Sequence, residues 1–322
     1  MIRYAARRLA FALFLVIAVS SASLVLSRLA PGDFVTESLG ARASRQAIEA
    51  QRARFGLNRS FGAQYRDWLA SAARLDFGYS MLYDRPVRDL IPERAANTAI
   101  LALTALVCAT LIGVPLGIVS GSRRGGLRAG AIRAASVVLL SMPPLLTSLF
   151  LVFAAARTGW LPIAGMRSAT VPAGGGFIDL IRHLVVPAAA IALPLAAMLE
   201  RLQAQAMGEV IGEPFVLAAL ARGVPRSRIV WHGALKAALR PVAAVYGLII
   251  GSLLSGSFAV EVITAWPGLG SLMLQALRTR DVYLVAGCAG AGALFLACGT
   301  LVSDLALAAI DPRTSDARAE AA

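Results

Sequence analysis

Residue types that often carry chemistry are scarce in this chain and are not spaced for catalysis. Cys108, Cys288 and Cys298 have no spacing typical of a paired site, and His183 and His232 are single and far apart in the sequence. Metal sites and activated nucleophiles need such residues grouped, and no Ser-His-Asp, Cys-His or paired-carboxylate arrangement emerges. The three cysteines fall within apolar runs, where we expect them to act as small buried hydrophobes. The sequence therefore predicts no enzyme, no resident cofactor and no metal ion.

The basic residues also lack the arrangement that binds nucleotides. Lys236 is the only lysine among 31 basic residues, and Ala237 follows it. A P-loop needs Gly-Lys followed by Ser or Thr, because the lysine reaches the terminal phosphates and the hydroxyl binds Mg²⁺. The chain has no P-loop, so ATP hydrolysis of that kind would have to come from another polypeptide.

One polar, basic segment between two apolar stretches is the part expected to meet another protein. Ala and Leu favour a helix from Glu213 to Gly223, where a residue without a Cβ can take the left-handed conformation that ends a helix. A second helix is predicted to begin after Val224, with Pro225 in its first turn. A narrow apolar stripe then follows at helical spacing: Ile229, Val230, Gly233, Ala234, Ala237 and Ala238. This predicts a short helix-turn-helix on the surface, with an ordinary connecting loop as the alternative.

The elements that position this segment are predicted to be membrane spans. Hydrophobic residues make up 58% of the 322 residues, and the mean hydropathy is +0.71. A span needs ~20 largely apolar residues. Six blocks qualify: Leu9–Leu29, Thr98–Val119, Val137–Ala156, Leu184–Leu199, Val242–Val262 and Leu284–Ile310. Pro187 and Pro194 interrupt the fourth, which is tolerated where neighbouring helices satisfy the freed carbonyls. We predict an all-α integral membrane protein with about six transmembrane helices.

Orientation follows from the arginines that flank short loops. Arginines without acidic neighbours precede the first span and follow the second: Arg3, Arg7, Arg8, Arg123, Arg124, Arg128 and Arg133. Short cytoplasmic loops of membrane proteins carry an excess of arginine and lysine, so the N-terminus is predicted to be cytoplasmic. An even number of spans then places the C-terminus in the cytoplasm as well. A secretory signal is the competing interpretation of the N-terminus, but its apolar core would be only about 7 to 15 residues long.

The predicted organisation follows this topology. Residues 1–29 form the cytoplasmic N-terminus and first transmembrane helix, and residues 30–96 form an external segment. Residues 97–310 form a five-helix core that includes a cytoplasmic coupling loop at 202–241, and residues 311–322 are a cytoplasmic tail. In the external segment, Ser44 is predicted to cap a helix that ends before Gly56. A second helix is predicted from apolar residues at helical spacing: Tyr65, Trp68, Leu69 and Ala72.

The net charge of +13 favours a membrane-lipid surface over nucleic acid, because the arginines flank apolar spans instead of forming a stripe with interleaved aromatic residues. The centres of the predicted spans lack Asp, Glu, Lys and Arg. Intramembrane charges usually mark ion pathways, so an ion-coupled carrier is disfavoured. A passive channel is not excluded by this argument.

Short motifs along almost the whole chain resemble one family. They lie at residues 28–33, 55–58, 64–69, 75–80, 85–87, 112–117, 159–162, 266–270 with 280–281, and 311–313. In this order they are similar to the inner-membrane permease subunits of binding-protein-dependent ABC importers for dipeptides, oligopeptides and nickel. Within that family the chain resembles the first permease of the pair. The resemblance implies a type I ABC importer permease fold in the bacterial inner (plasma) membrane.

The resemblance also implies partners and a coupling site. A second homologous permease would complete the path, two ATPase subunits would supply energy, and an external solute-binding protein would deliver a peptide or related solute. In the family a loop with Glu-Ala-Ala, three residues, then Gly docks into the ATPase; here Leu217 replaces the glutamate. The implied ATPase-coupling residues are Glu213, Phe215, Ala218, Ala219 and Gly223. A passive channel, a non-ABC carrier and a membrane-embedded enzyme are the alternatives.

Overall fold

A computed structural model describes residues 2–29, 32–39, 44–72, 74, 76–122, 125–168 and 176–310, except for the side chains of residues 2–6, 252, 254–256 and 302–310. These residues are mainly helical, as predicted, with one short hairpin. The helices are α1 (Ile2–Leu29), α2 (Phe34–Leu39), α3 (Arg45–Arg54), α4 (Phe61–Ala72), α5 (Val87–Gly121), α6 (Leu127–Leu140), α7 (Pro144–Thr158), α8 (Gly176–Ile211), α9 (Pro214–Ala221), α10 (Arg226–Arg228), a π-helix (Ile229–Ala234), α11 (Leu235–Ile263), α12 (Leu269–Thr279) and α13 (Val282–Ile310). Strands β1 (Tyr79–Ser80) and β2 (Arg85–Pro86) pair antiparallel.

Among the described residues, five helical stretches are long and apolar enough to cross a membrane. They are Arg7–Leu29, Val87–Gly121, Gly176–Ile211, Arg226–Gly251 and Val282–Leu301. A sixth span exists if α6 and α7, which are bent by 101° at a short break, are taken as one. The prediction of an all-α membrane protein is therefore confirmed, and the predicted number of about six transmembrane helices agrees with five or six candidate spans.

The third predicted span is not one straight helix, and the prediction of a continuous helix over Val137–Ala156 is wrong. Pro143 has φ −59° and ψ 150°, an extended conformation, immediately before Pro144 begins α7. A residue that precedes proline is pushed out of the helical region, and two successive prolines remove two helix N–H donors. The Pro-Pro pair therefore separates α6 from α7.

Single prolines have a different outcome in α8. Pro187 and Pro194 both lie inside this 36-residue helix, so the prediction that the fourth span tolerates them is confirmed. The helix continues beyond the predicted end of the span, and Glu200 is buried within it. The hydroxyl of Ser120 donates a hydrogen bond to the Glu200 carboxylate, while the Arg133 guanidinium donates to the Ser120 carbonyl oxygen at 2.9 Å. Glu200 thus has a helix-packing role.

The described residues divide into two compact units, Met1–Thr98 with Pro267–Cys298 and Ala99–Trp266 with Gly299–Ala322. In the second unit the apolar core is built around α8, whose Leu195 and Leu199 pack in one cluster with Leu101 of α5, Ile249 of α11 and Trp266. Burial of apolar side chains is the main favourable term in folding of parts that lie in water, whereas close packing takes that role between helices in a bilayer.

Close packing is most evident where α5 meets α8. Gly113, Gly117 and Gly121 recur at i, i+4 and i+8 along α5. A Cβ built on each would lie 2.4 Å from the Ala196 carbonyl oxygen, 2.6 Å from the Glu200 carbonyl oxygen and 2.3 Å from the Ala204 carbonyl oxygen, respectively. Small residues at this spacing let two helix backbones approach closely within a membrane. The stripe therefore fixes the separation of α5 and α8.

In the first unit a buried carboxylate joins the hairpin to α13. Asp281 accepts hydrogen bonds from the Ser80 hydroxyl at 2.6 Å, the Leu82 N–H at 3.0 Å and the Leu284 N–H at 3.2 Å. Burial raises the pKa of the Asp281 carboxyl above its usual range, although these donors act in the opposite direction. The side chain satisfies backbone donors at the start of α13 and in the hairpin region together.

The predicted helices of residues 30–96 are present. The Ser44 hydroxyl caps α3 by accepting the Ala47 N–H at 3.2 Å, and α3 ends before Gly56 as predicted. On α4, Trp68 is buried and its indole N–H donates to the Phe77 carbonyl oxygen at 3.1 Å. These contacts show two predicted helices with defined packing.

A local ion pair lies at the start of α2. The Asp33 carboxylate accepts the Thr36 N–H at 2.9 Å and the Arg52 Nε–H at 2.8 Å. Burial alone would raise the pKa of the Asp33 carboxyl, but the hydrogen bonds from Thr36 and the charge of Arg52 hold it below its usual range. The ionised form of Asp33 therefore stabilises this part of the fold.

Candidate functional site

The predicted coupling segment forms a separate short helix, α9, set off by a turn at each end. Glu213 is the N-cap with extended φ/ψ, and Pro214 occupies the first helical turn, where the N–H that proline lacks has no helical partner. At the other end Gly223 has φ 77°, a left-handed conformation. The Gly223 N–H donates to the Leu220 carbonyl oxygen at 2.9 Å. The predicted helix and its glycine stop are confirmed.

The side chains of α9 point mainly outwards even though every one of them is apolar. Only Val216 is fully buried, while Phe215, Leu217 and Leu220 are 49%, 56% and 42% exposed. Ala218 is exposed and Ala219 is half-buried. A helix that is apolar all round belongs in an interior, so a solitary surface helix of this composition indicates a surface that another molecule covers.

Beside α9 the chain forms a cavity of about 880 Å³. Apolar residues from the end of α8, from α9 and from the π-helix line it, namely Ile211, Val216, Leu217, Leu220, Ile229 and Val230. Val216 anchors α9 from this side, whereas Phe215 does not line the cavity. The helix thus has one anchored face and one free apolar face among the described residues.

The surroundings of α9 are strongly basic. Arg222, Arg226, Arg228, Lys236 and Arg240 lie between residues 214 and 260, and this stretch contains no Asp or Glu. The Arg226 guanidinium donates a hydrogen bond to the Ser122 carbonyl oxygen at 2.8 Å, which joins α10 to the end of α5. The site therefore combines apolar contact area with positive charge.

Comparison with known proteins assigns the chain to a family. Residues 113–316 match the family described as binding-protein-dependent transport system inner membrane component, and residues 1–102 match the N-terminal family of the same transport systems. The chain belongs to this permease family. It is a multi-pass membrane protein and the permease subunit of an ABC importer, as its sequence motifs predicted.

Curated relatives cover nearly all of the permease. The oligopeptide transport system permease protein AppB of Bacillus subtilis is 30% identical over 315 residues, which are 97% of this chain and 99% of AppB. A putative peptide permease protein of Brucella ovis is 32% identical, over 97% of this chain and 99% of its own length. The di/tripeptide transport system permease protein DppB of Pseudomonas aeruginosa is 30% identical, over 88% of this chain and 90% of DppB.

The structure brings the five predicted coupling residues of the permease together on α9 and its caps. Glu213, Phe215, Ala218 and Gly223 are exposed, and Ala219 is half-buried. Sequence reasoning did not select Leu220, which is exposed next to Leu217. The sequence did contain an indication of this exposure. All eight residues from Pro214 to Ala221 are apolar, so any face that the helix turns outwards is apolar.

Other residues singled out from the sequence lie apart from this site. The His183 Nδ1 lies 2.8 Å from the Asp179 carbonyl oxygen within α8, and His232 belongs to the π-helix. Cys288 is buried and Cys108 is half-buried, but Cys298 is exposed, so the expectation of burial is wrong for Cys298. Among the described residues no three His, Cys, Asp or Glu side chains come together as metal ligands.

Proposed function

We propose that the permease couples to separate ATPase subunits through α9 and its two flanking turns. The observation that carries the proposal is the exposed apolar surface of Phe215, Leu217 and Leu220 on a short helix in which only Val216 is fully buried. Small side chains at Ala218 and Ala219 allow close approach, and Phe215 is shaped to fill a pocket. The proposed coupling residues are Glu213, Phe215, Ala218, Ala219 and Gly223, with Leu217 and Leu220 added from their exposure.

We further propose that a second homologous permease completes the translocation path, that two ATPase subunits bind at the cytoplasmic side, and that an external solute-binding protein delivers the substrate. The sequence supports this division because it contains no P-loop. We expect the purified chain alone to hydrolyse no ATP above background. ATP turnover that requires this polypeptide and survives replacement of Lys236 would contradict the proposal.

The proposed mechanism is alternating access. ATP-driven closure of the two ATPase subunits would draw the α9 helices of the two permeases together, and α8 would carry that movement into the membrane because only two residues separate it from α9. The spanning helices would then rock as rigid bodies between inward-open and outward-open packings. A passive channel would instead conduct without ATPase partners, which flux measurements on the reconstituted chain distinguish.

Peptides are the substrate class that we propose, together with related small solutes. The support is that the printed names of the relatives AppB and DppB specify oligopeptides and di/tripeptides. Three serines on the fifth predicted span would supply small polar groups to a path. Ser257 is buried, and the side chains of Ser252 and Ser255 lie outside the described residues. We therefore assign no residue to the path.

For orientation we propose a bacterial inner membrane location with both termini in the cytoplasm. Arginines without acidic neighbours flank the first loop after α5 and precede the first span, which supports this sidedness. A reporter fused after Ala322 should be active only as a cytoplasmic reporter, and a tag within residues 42–74 should be labelled from outside. Labelling of that tag only after the membrane is permeabilised would reverse the assignment.

Phe215→Ala is the direct test of the coupling site. Truncation of a central aromatic contact typically costs about 2 kcal/mol or more in binding, so ATPase affinity should fall by more than about tenfold. The matched control is Phe150→Ala, because Phe150 is also exposed, at 63%, and belongs to a different helix, α7. Pull-down of the ATPase and substrate uptake are compared at equal membrane levels of each variant. Equal ATPase binding by both variants would exclude α9 as the coupling element.

The turn at Gly223 gives a second test that does not remove a contact. Gly223→Val places a β-branched residue at a positive φ, with a steric penalty of about 1–2 kcal/mol. Asn tolerates this conformation, so Gly223→Asn is the matched control. We expect the valine variant to lose ATPase binding and the asparagine variant to retain most of it. Full uptake by Gly223→Val would show that the conformation of this turn is not needed for coupling.

A further inference from the structure

A second cavity, of about 290 Å³, lies where the end of α5 meets α10 and the π-helix. Its polar lining comes from Ser122, Arg226, Ser227 and Trp231, and its apolar lining includes Ile118 and Val119. Most of its lining differs from that of the larger cavity beside α9, although Arg226 and Val230 line both. None of its residues is used in the coupling mechanism proposed above.

The cavity lies where two candidate membrane-spanning helices end, and lipid headgroups meet a spanning helix near its ends. On one side the apolar span of α5 ends at Gly121, and on the other the span Arg226–Gly251 begins. The hydrogen bond from Arg226 to the Ser122 carbonyl oxygen holds these two span ends at the same height. Trp231 is 48% exposed there, and tryptophan is enriched at this boundary between hydrocarbon and water.

The lining has the chemistry of a phosphate site. An arginine presents five N–H donors in a planar fork, so Arg226 retains donors beyond the one given to Ser122. The Ser227 hydroxyl and the Trp231 indole N–H add neutral donors of the kind that bind phosphate oxygens. The nearest acidic residues in sequence to this stretch of α10 and the π-helix are Glu213 and Glu261, and neither lines the cavity.

An apolar stripe leads from the cavity along α5. Ile112, Leu116 and Val119 are spaced at i, i+4 and i+7 and are exposed at 44%, 39% and 38%. They therefore share one face of the helix, and Val119 itself lines the cavity. A ligand that fits both features has a negatively charged head and a hydrocarbon tail.

We propose that this cavity binds the phosphate headgroup of an anionic phospholipid from the adjacent leaflet, with an acyl chain along the Ile112, Leu116 and Val119 stripe. A free phosphate ion would use the same donors but would leave the apolar wall and stripe uncovered. The lipid would tie the end of α5 to α10 from outside the protein, next to the coupling segment. The assignment does not depend on which ATPase binds α9.

The test uses the full chain in nanodiscs of zwitterionic phosphatidylcholine, into which acyl-brominated phosphatidylglycerol or acyl-brominated phosphatidylcholine is titrated. Bromine quenches the fluorescence of a nearby tryptophan, so the fluorescence of Trp231 reports lipid in the cavity. The contribution of Trp231 is the part of the quenching that is lost in Trp231→Phe. We expect the anionic lipid to quench this share with an association constant at least about tenfold higher than the zwitterionic lipid, as charge-assisted hydrogen bonds to phosphate allow.

Two arginine variants separate a site from general attraction. Arg226→Gln should lower the association constant for the anionic lipid by at least about tenfold, whereas Arg228→Gln, an equal loss of charge outside the cavity, should lower it by no more than about fivefold. Ser227→Ala removes one hydroxyl without changing charge and should lower it by about threefold, which keeps the test decisive if Arg226→Gln does not fold. Equal effects of Arg226→Gln and Arg228→Gln, or no effect of Ser227→Ala, would overturn the site.

Competition distinguishes lipid from ion. Millimolar inorganic phosphate should leave the quenching by brominated phosphatidylglycerol unchanged. Displacement of the lipid signal by phosphate would mean that the cavity takes the free ion, and the lipid assignment would be wrong. Loss of the preference for anionic lipid when the complete transport complex is reconstituted would mean that a protein partner covers the cavity, with the same consequence.

Discussion

Replacing Gly113 by alanine should separate α5 from α8 and destabilise the permease. A Cβ at this position lies 2.4 Å from the Ala196 carbonyl oxygen and 2.9 Å from the Leu199 Cβ. Neither neighbour is the far end of a flexible side chain, so the clash is relieved only by movement of the helix backbones. Tightly packed interiors transmit such a strain instead of absorbing it locally.

The magnitude follows from the required shift. An ordinary contact of about 3.4 Å to the Ala196 carbonyl oxygen requires a local separation of about 1 Å, and a gap of that size forfeits a quarter to a half of the dispersion attraction of each facing atom pair. Overpacked substitutions in cores cost about 1–3 kcal/mol. We therefore expect Gly113→Ala to lower the free energy of unfolding by about 2 kcal/mol and the Tm by about 4–8 °C.

The assay is the midpoint of thermal unfolding of the purified permease in mild detergent, followed by tryptophan fluorescence. Gly130→Ala is the matched control, because Gly130 lies in α6 and a Cβ there meets nothing within 4 Å. In the control, alanine should leave Tm unchanged or raise it, since it stabilises a helix by up to about 1 kcal/mol relative to glycine. A Gly113→Ala midpoint equal to that of Gly130→Ala would refute the close approach of α5 and α8.

Two further predictions concern carboxylates, the half-buried Asp33 and the buried Asp281. The pKa of the Asp33 carboxyl is held below its unfolded value of 3.8, so the stability that ionised Asp33 contributes is complete above about pH 4 and is lost as the pH falls further. Asp33→Asn should therefore reduce the loss of folding stability in acid, as measured by unfolding curves at a series of pH values. An unchanged loss of stability in acid would contradict the assignment. Because burial raises the pKa of Asp281, the folded state holds that proton more tightly and stability falls as the pH rises through the folded-state value. Asp281→Ala leaves the Ser80 hydroxyl and backbone donors unsatisfied, so it should lower the free energy of unfolding at neutral pH by about 1–3 kcal/mol. The loss should be clearly larger than for Asp281→Asn. Limited proteolysis of the folded chain would measure the difference.

Sequence signals that act within a few residues predicted local structure correctly. Ser44 caps α3 through the Ala47 N–H, and Gly223 takes the left-handed conformation expected of a glycine that ends a helix. Both depend only on a turn of chain, so neither requires knowledge of the partner elements. The existence of α9, and with it the placement of the predicted coupling residues on one helix, could be predicted for the same reason.

In the third predicted span, the length of the apolar run favoured a straight helix, while a proline pair within it favoured a break. The apolar run was long enough for a straight span, yet the pair Pro143-Pro144 within it carried the information that a helix must break there. Single prolines in α8 did not have this effect. Each removes only one N–H, and neighbouring helices can satisfy the freed backbone groups so that the helix continues. Counting prolines was not sufficient; their adjacency decided the outcome.

Contacts between distant elements could not be predicted from one sequence. Gly113, Gly117 and Gly121 are visible as a spaced set, but nothing in the sequence names α8 as the helix that they approach. The same holds for Asp281 and Ser80, which are 201 residues apart. Which face of α9 is anchored depends on Val216 and the π-helix, and that choice is made by tertiary packing.

The length of α8 makes it a lever. Its 36 residues extend over about 54 Å at 1.5 Å per residue, which exceeds the ~30 Å thickness of a bilayer core. A rotation of the helix axis by about 10° about one end displaces the other end by about 9 Å, close to the ~10 Å diameter of a helix. A small angular change beside α9 is thus enough to shift the far end of α8 by the width of a whole helix, without any change in the internal packing of the helix itself.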